Sequence, residues 1–209
     1  MMTISPPDLR EPSALRLILT LSLAGLFSGL IIVLAYHATR PAITAYQAEQ
    51  LRASVFKVLP GVTRIQRQII REGQLIAAED PGSEAVYAGY DAGNRLVGYA
   101  IPAEGPGFQD TIRLLYGYLP GPRTVVGMEI LDSRETPGLG DKIYKDAAFV
   151  TNFQRLQIDP AILTVKKGRK AAPNEIDAIT GATISSKAVV RIINQGNATW
   201  AQRLTARAE

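Results

Sequence analysis

Asp177-Ala178-Ile179-Thr180-Gly181-Ala182-Thr183-Ile184-Ser185-Ser186 runs straight into an apolar-periodic stretch that predicts a helix over Ser185 to Thr205, with Ala188, Val189, Ile192 and Ile193 on its buried face. Gly181 and Ala182 remove side-chain bulk where loop becomes helix. Thr180, Thr183, Ser185 and Ser186 place four hydroxyls beside the unpaired N–H groups of a first helical turn. Such a start attracts anions, because N–H groups and the helix dipole converge there. The same residues also fit an ordinary helix start, with Thr183 or Ser185 as the N-cap.

Upstream of this stretch, Glu135-Thr136-Pro137-Gly138-Leu139-Gly140-Asp141-Lys142 reads as a compact turn from which Leu139 projects. A leucine exposed on a polar turn is a surface against which a flat ring can pack. Between the two stretches, Phe149, Val150, Phe153 and Leu156 predict a short helix over Asp146 to Leu156, and Leu163 to Lys167 reads as a short strand. Lys166-Lys167-Gly168-Arg169-Lys170 is a basic cluster around a glycine, read as a solvated hairpin tip, with docking of an acidic partner as the alternative.

Before Glu135 lie five runs rich in Val, Ile, Leu and Tyr: Arg64 to Ile70, Ala85 to Tyr90, Arg95 to Ala103, Thr111 to Leu119 and Thr124 to Leu131. These predict strands. Asp91-Ala92-Gly93-Asn94 and Pro120-Gly121-Pro122 supply turns between neighbours, so the sheet should be largely antiparallel. Glu104 to Gln109 reads as a glycine-rich connection, a plain loop first and a ligand contact as the alternative. Gly196 looks able to loosen the last helix, and Trp200 fits either the core or a partner contact.

Nearer the N-terminus, Leu17 to Tyr36 is 20 residues without a charge. As a helix it rises roughly 30 Å, the thickness of a bilayer's hydrocarbon core. It is a transmembrane candidate; a cleaved signal sequence ending near Val33-Leu34-Ala35 is the rival, but its apolar core would be shorter. The expected organisation is a tail over 1–16, an anchor over 17–39, a helical connector over 40–60 that starts around Pro41, and a domain over 61–209. Arg10 and Arg16 precede the anchor while Arg40, Arg52 and Lys57 follow it, so charge bias does not orient it. His37, the single histidine, has no second ligand residue of its kind and reads as interfacial.

A chain of 209 residues with 46% apolar content supports one anchored domain. It has no cysteine, which excludes disulfides, thiolate nucleophiles, iron–sulfur clusters and Cys-bound zinc. Any redox chemistry must come from an organic cofactor. The net charge of +4 is modest and no basic stripe is interleaved with aromatics, so nucleic acid is not an expected partner. There is no P-loop and no dinucleotide-binding glycine motif.

Asp177-x-x-Thr180-Gly181-Ala182-Thr183 resembles the D-x-x-(S/T)-G-A-T motif at which flavin transferases attach FMN by a phosphoester to the last threonine. Glu135 to Gly140 resembles the E-T-P-G-L-G loop of the same FMN-binding domain. Two motifs in this order, with one N-terminal apolar segment and Val58-Leu59-Pro60-Gly61, resemble the G subunit of Rnf-type ion-translocating complexes over nearly the whole chain; the C subunit of the sodium-pumping NADH:quinone reductase is a longer relative. Thr180 stands where serine is commoner and Ser185 where threonine is, both hydroxyl for hydroxyl.

The resemblance implies an α+β fold, with a transmembrane helix followed by a mixed, largely antiparallel sheet and helices. It also implies covalent FMN on Thr183, a pocket shaped by Thr180, Gly181, Ala182 and Ser185, and ring or ribityl contacts from Glu135, Thr136, Gly138, Leu139, Gly140 and Lys142. Asp177 would be recognised by the flavin transferase. Expected partners are the other subunits of a membrane electron-transport complex, that transferase and membrane lipid. The expected location is the inner membrane, single-pass, with the FMN domain on the periplasmic side. Three other readings remain at this point: a redox-sensing membrane module, a flavin-free structural domain, and a carrier serving another reductase.

Overall fold

The structure is a computed structural model describing residues 13–71, 74–77 and 84–205. Two compact units make up the chain, Met1–Ala48 and Glu49–Glu209. The first is helical from Ala14 onward, within α1 (Ala14–Val58), and its described side chains are exposed. An 18-residue window of α1 reaches a mean hydropathy of 2.5, so the helix is long and apolar enough to cross a bilayer. Polar side chains in this run satisfy themselves locally: the Thr20 hydroxyl donates to the Arg16 carbonyl (2.9 Å) and that of Thr39 to Ala35 (2.8 Å). Residues 1–12 of the expected tail lie outside the described residues, and from Ala14 onward the helix has already begun.

Where the sequence reads an anchor and a separate connector, the structure has one helix running through Pro41. A proline removes one N–H from the ladder and crowds the carbonyl four residues earlier, but intact turns on either side can carry a helix across that defect. The Thr44 hydroxyl donates to the Pro41 carbonyl at 2.9 Å.

In the second unit, β1 (Arg64–Arg71), β2 (Gln74–Ala77), β3 (Ala85–Tyr90), β4 (Leu96–Pro106), β5 (Thr111–Leu119), β6 (Thr124–Ser133) and β7 (Leu156–Gln157) form one sheet, ordered β2-β1-β3-β4-β5-β6-β7. Every pairing in it is antiparallel. The five expected strands are all present. At the β3–β4 turn the Asp91 carboxylate accepts the Arg95 amide at 2.9 Å, and Asn94 takes the left-handed conformation its short polar side chain tolerates (φ 60°). A separate parallel pair, β8 (Leu163–Val165) and β9 (Glu175–Asp177), completes the mixed α+β fold.

Strand alternation sends side chains to two faces. On one, Val86, Ile101, Leu114, Tyr116 and Val125 pack beneath α4 (Thr183–Thr205), whose Ala188, Val189, Ile192 and Ile193 are buried as expected. Trp200 belongs to this core. Gly196 does not loosen α4; any side chain there would run into the Tyr116 ring and hydroxyl, so glycine permits the close approach of helix to sheet. On the opposite face Val55, Val58, Leu59 and Val62 pack on Ala100 and Leu115. The last turns of α1 are thus core of the second unit. Gly117 of β5 lies directly under the Val58 carbonyl, where a Cβ would collide with it.

Between β6 and β7 the sequence predicts a helix over Asp146 to Leu156. The structure has α2 (Lys142–Lys145) and α3 (Ala147–Thr151) instead. The Asp146 carboxylate caps α3, accepting from Ala148 N (2.9 Å) and Phe149 N (3.3 Å). Arg155 adopts φ 61°, which a helix excludes, and Leu156 pairs with Val125. The basic cluster is no hairpin tip, because β8 and β9 are parallel: it begins the return loop between them.

Candidate functional site

The start of α4 is set by its neighbours. Gly181 takes φ +85°, a conformation side chains rarely adopt, and turns the chain into the helix. The Ala182 carbonyl then accepts the Ser186 amide (3.0 Å) and the Ser186 hydroxyl (2.9 Å), while that hydroxyl accepts Ile179 N–H (3.1 Å). Ala182 therefore stands at the cap, and Thr183 is the first helical residue. This overturns the reading of Thr183 or Ser185 as an N-cap. Thr183 is exposed, and its hydroxyl makes no hydrogen bond among the described residues. Among the described residues no backbone carbonyl accepts from the amides of Thr183, Ile184 or Ser185, so three donors point out of the helix start beside that hydroxyl.

Three stretches distant in sequence meet here through Glu135. One carboxylate oxygen accepts the amides of Phe108 (2.8 Å) and Gln109 (3.0 Å); the other accepts the Ser185 hydroxyl on α4. Glu135 is 5% exposed. Burial alone would raise its pKa, but the bonds from Ser185, Gln109 and Phe108 together outweigh that and hold it below the ordinary carboxylate value. Thr136 donates to the Gln109 side chain at 2.9 Å, a second tie between the same two loops. A Cβ on Gly140 would sit 2.6 Å from Glu135 Oε2 and 3.0 Å from Ser185 Oγ, so only glycine lets the loop lie against the helix.

Within the loop, Gly138 turns the chain with φ +76° and Leu139 projects, 49% exposed. A Leu139 methyl carbon lies 3.7 Å from where Gly181 would carry a Cβ, so the two motifs face each other. Lys142 is half-buried, and its ammonium makes no hydrogen bond among the described residues. Asp141, which sequence reasoning left unassigned, is buried. The Lys145 ammonium, 2.6 Å away, leads in depressing its pKa, followed by the Gly138 amide, against the cost of burial.

Thr180 and Gly181 are exposed at the same turn. Asp177 is not part of this meeting of loops. Its Oδ1 accepts the amides of Arg169 and Lys170 (3.2 Å each), and its own amide donates to Asn152. Phe108, 63% exposed on the loop bonded to Glu135, lies in the connection that the sequence reads as a plain loop first and a ligand contact second; sequence reasoning did not single it out. The signal was there in Gly107-Phe108: a bulky apolar side chain has no reason to sit on a polar turn.

The arrangement combines a free hydroxyl among unpaired amides, suited to a phosphate, with exposed apolar side chains of Leu139, Phe108 and Ile184 (58% exposed), suited to a ring. Among the described residues no cluster of acidic and imidazole groups could hold a metal.

The model of the FMN-binding domain family matches residues 107–197, which takes in all three stretches. The G subunit of the ion-translocating oxidoreductase complex of Methanosarcina acetivorans is 30% identical over 177 residues, covering 84% of this chain and 88% of that one. The G subunit from Cereibacter sphaeroides is 34% identical over 180 residues (85% and 80%), and that of the proton-translocating ferredoxin:NAD(+) oxidoreductase complex of Clostridium ljungdahlii 30% over 188 (90% and 92%). Among solved structures, Shewanella oneidensis NqrC superposes with a TM-score of 0.57 at 19% identity, covering 74% of this chain and 88% of that one, and the C subunit of the Na(+)-translocating NADH-quinone reductase of Parabacteroides distasonis with 0.55 at 20% (69% and 78%). Those two show a shared fold. The sequence relatives, spanning most of both chains, show that this protein belongs to the G-subunit family of ion-translocating oxidoreductase complexes and carries that family's FMN-binding domain.

Proposed function

We propose that this protein is a membrane-anchored electron carrier in an ion-translocating oxidoreductase complex, with FMN joined through its phosphate to Thr183. The observation that carries this reading is the unbonded, exposed Thr183 hydroxyl at a helix start whose first three amides are also free, facing the Leu139 loop inside an FMN-binding domain. In maturation, the Thr183 Oγ1–P bond forms as the flavin-phosphoryl group of an activated flavin nucleotide breaks its bond to the leaving nucleotide, and the threonine proton departs. A flavin transferase supplies that step and membrane lipid surrounds α1.

Each side chain then has a task. The amides of Thr183, Ile184 and Ser185 receive the phosphate oxygens, aided by a helix-start field of about 0.3 to 1 kcal/mol. Covalent attachment does what so small a term does not, retaining the cofactor on a domain that faces the extracytoplasmic side. Thr180, Gly181 and Ala182 keep the approach open. Leu139, with Gly138 and Gly140 shaping its turn, gives the ring an apolar wall, and Phe108 and Ile184 extend it. Thr136 and Lys142 provide polar contacts at its edge. Glu135 and Ser185 hold the walls together. Bound FMN supplies one- and two-electron transfer, and the protein orients it and leaves an edge open to partners.

The test is the intact mass of the full chain from cells that co-express a flavin transferase, with peptide mapping across Asp177 to Lys187. An added mass of FMN less water on Thr183 is expected. An unmodified Thr183 in the presence of active transferase overturns the assignment.

A further inference from the structure

The loop from Lys166 to Ala172 is tightly built. Arg169 N–H donates to the Lys166 carbonyl (2.9 Å) across Gly168, which has φ +76°. Four successive amides are then gripped by two carboxylates of β9: those of Arg169 and Lys170 by Asp177 Oδ1, and those of Ala171 (2.8 Å) and Ala172 (3.1 Å) by Glu175 Oε2. The Ala171 and Ala172 amides hold the Glu175 carboxyl below its ordinary pKa. Both nearby acids are therefore spent on backbone, and neither forms an ion pair with a side chain of the loop. Lys166, Lys167, Arg169 and Lys170 all remain exposed.

The positive surface extends onto α4. Lys187 and Arg191 are exposed four and eight residues beyond Thr183, and with Leu163, Thr164 and Val190 they line a shallow groove between α4 and β8. None of the six cations forms an ion pair among the described residues; Arg191 donates to the Pro106 carbonyl. Leu163 is exposed within this rim of charge. A solvated charge run needs no such scaffold. A fixed cationic loop beside an apolar strip has the form of a protein-binding surface, with charge at the rim and an apolar contact inside it.

We infer that the β8–β9 loop with Lys187 and Arg191 docks an acidic extramembrane face of another protein of the same complex. The inference rests on the proposed function for its meaning: Asp177 both grips this loop and begins the stretch that ends at Thr183, so the partner would be held next to the electron carrier. The binding itself does not depend on flavin.

The experiment is zero-length carbodiimide cross-linking of the purified complex, mapped by mass spectrometry. The reagent joins a lysine to a carboxylate only in direct contact, and the Lys57–Glu129 pair at 2.8 Å serves as an internal control. Links from Lys166, Lys167, Lys170 or Lys187 to Asp or Glu of a neighbouring protein of the complex are expected, declining with added salt. Replacing Lys166, Lys167, Arg169 and Lys170 together by Glu should reduce the links from Lys187, which the variant keeps, about tenfold or more, with flavin on Thr183 and thermal stability unchanged. Detection of the control link with none from these lysines to a neighbouring protein overturns the proposal. So does a charge-reversed variant that keeps its contacts with the rest of the complex and loses only binding to phosphatidylglycerol vesicles, which would make the surface a lipid site. Missing flavin with intact cross-links would instead count against the Thr183 reading alone.

Discussion

At the scale of the residue, Thr183 and Glu135 divide the work of the site. Thr183→Ala removes an exposed, unbonded hydroxyl, so covalent flavin fluorescence on a denaturing gel should vanish, while stability changes by no more than about 0.5 kcal/mol. Glu135→Ala leaves the Phe108 and Gln109 amides and the Ser185 hydroxyl without their acceptor; a loss of about 2 to 4 kcal/mol is expected in denaturant unfolding. Its depressed pKa fixes the sign of the pH dependence. The native state binds the proton less readily than the unfolded chain, so this stabilisation is complete above the unfolded value of about 4.3 and is lost as pH falls through the lower folded one. Melting temperatures below about pH 4 should therefore fall less steeply in Glu135→Gln than in the parent. The Thr183 motif was legible because hydroxyls, glycine and alanine are spaced for one chemistry. The task of Glu135 was not, because its partners lie 26 to 50 positions away and nothing local marks a carboxylate as buried.

At the scale of the element, the long strands were legible because branched and aromatic side chains alternate between turn residues. Of the short ones, β8 was legible as the first part of the run Leu163 to Lys167, and β9 was not: its three residues are a strand by pairing with β8. Likewise α3 is followed by a positive φ on an arginine that no propensity signals. The seating of α1 on the sheet was also hidden, since a glycine within a strand looks merely weak until the Val58 carbonyl is seen above it. Gly117→Ala should cost about 1 to 3 kcal/mol by forcing that carbonyl aside. Gly121→Ala, which meets nothing within 4 Å, should be close to neutral; equal melting temperatures for the two would refute the close-packing account.

At the scale of the whole molecule, the fold class and family were legible, and the start of the domain was not. A chain beginning at Glu49 retains Leu51, Val55, Val58 and Leu59 and should be soluble and cooperatively folded. One beginning at Gly61 loses all four and should aggregate or melt without a clear transition, which calorimetry would show. Sidedness can be read because the natural chain has no cysteine: Arg134→Cys, at a position 80% exposed, creates a single target for a membrane-impermeant maleimide. Labelling in intact spheroplasts is expected, and labelling only after lysis would place the domain in the cytoplasm.

The turns of α1 that finish the core bear on how such chains can recombine. A crossover between genes placed at the apparent end of the apolar segment would exchange anchors freely, yet any joint between Leu51 and Val62 would cut through residues buried on the sheet. An exchange upstream of this point leaves the packing on the sheet untouched. Within the last turns of the helix, inheritance must be in one block.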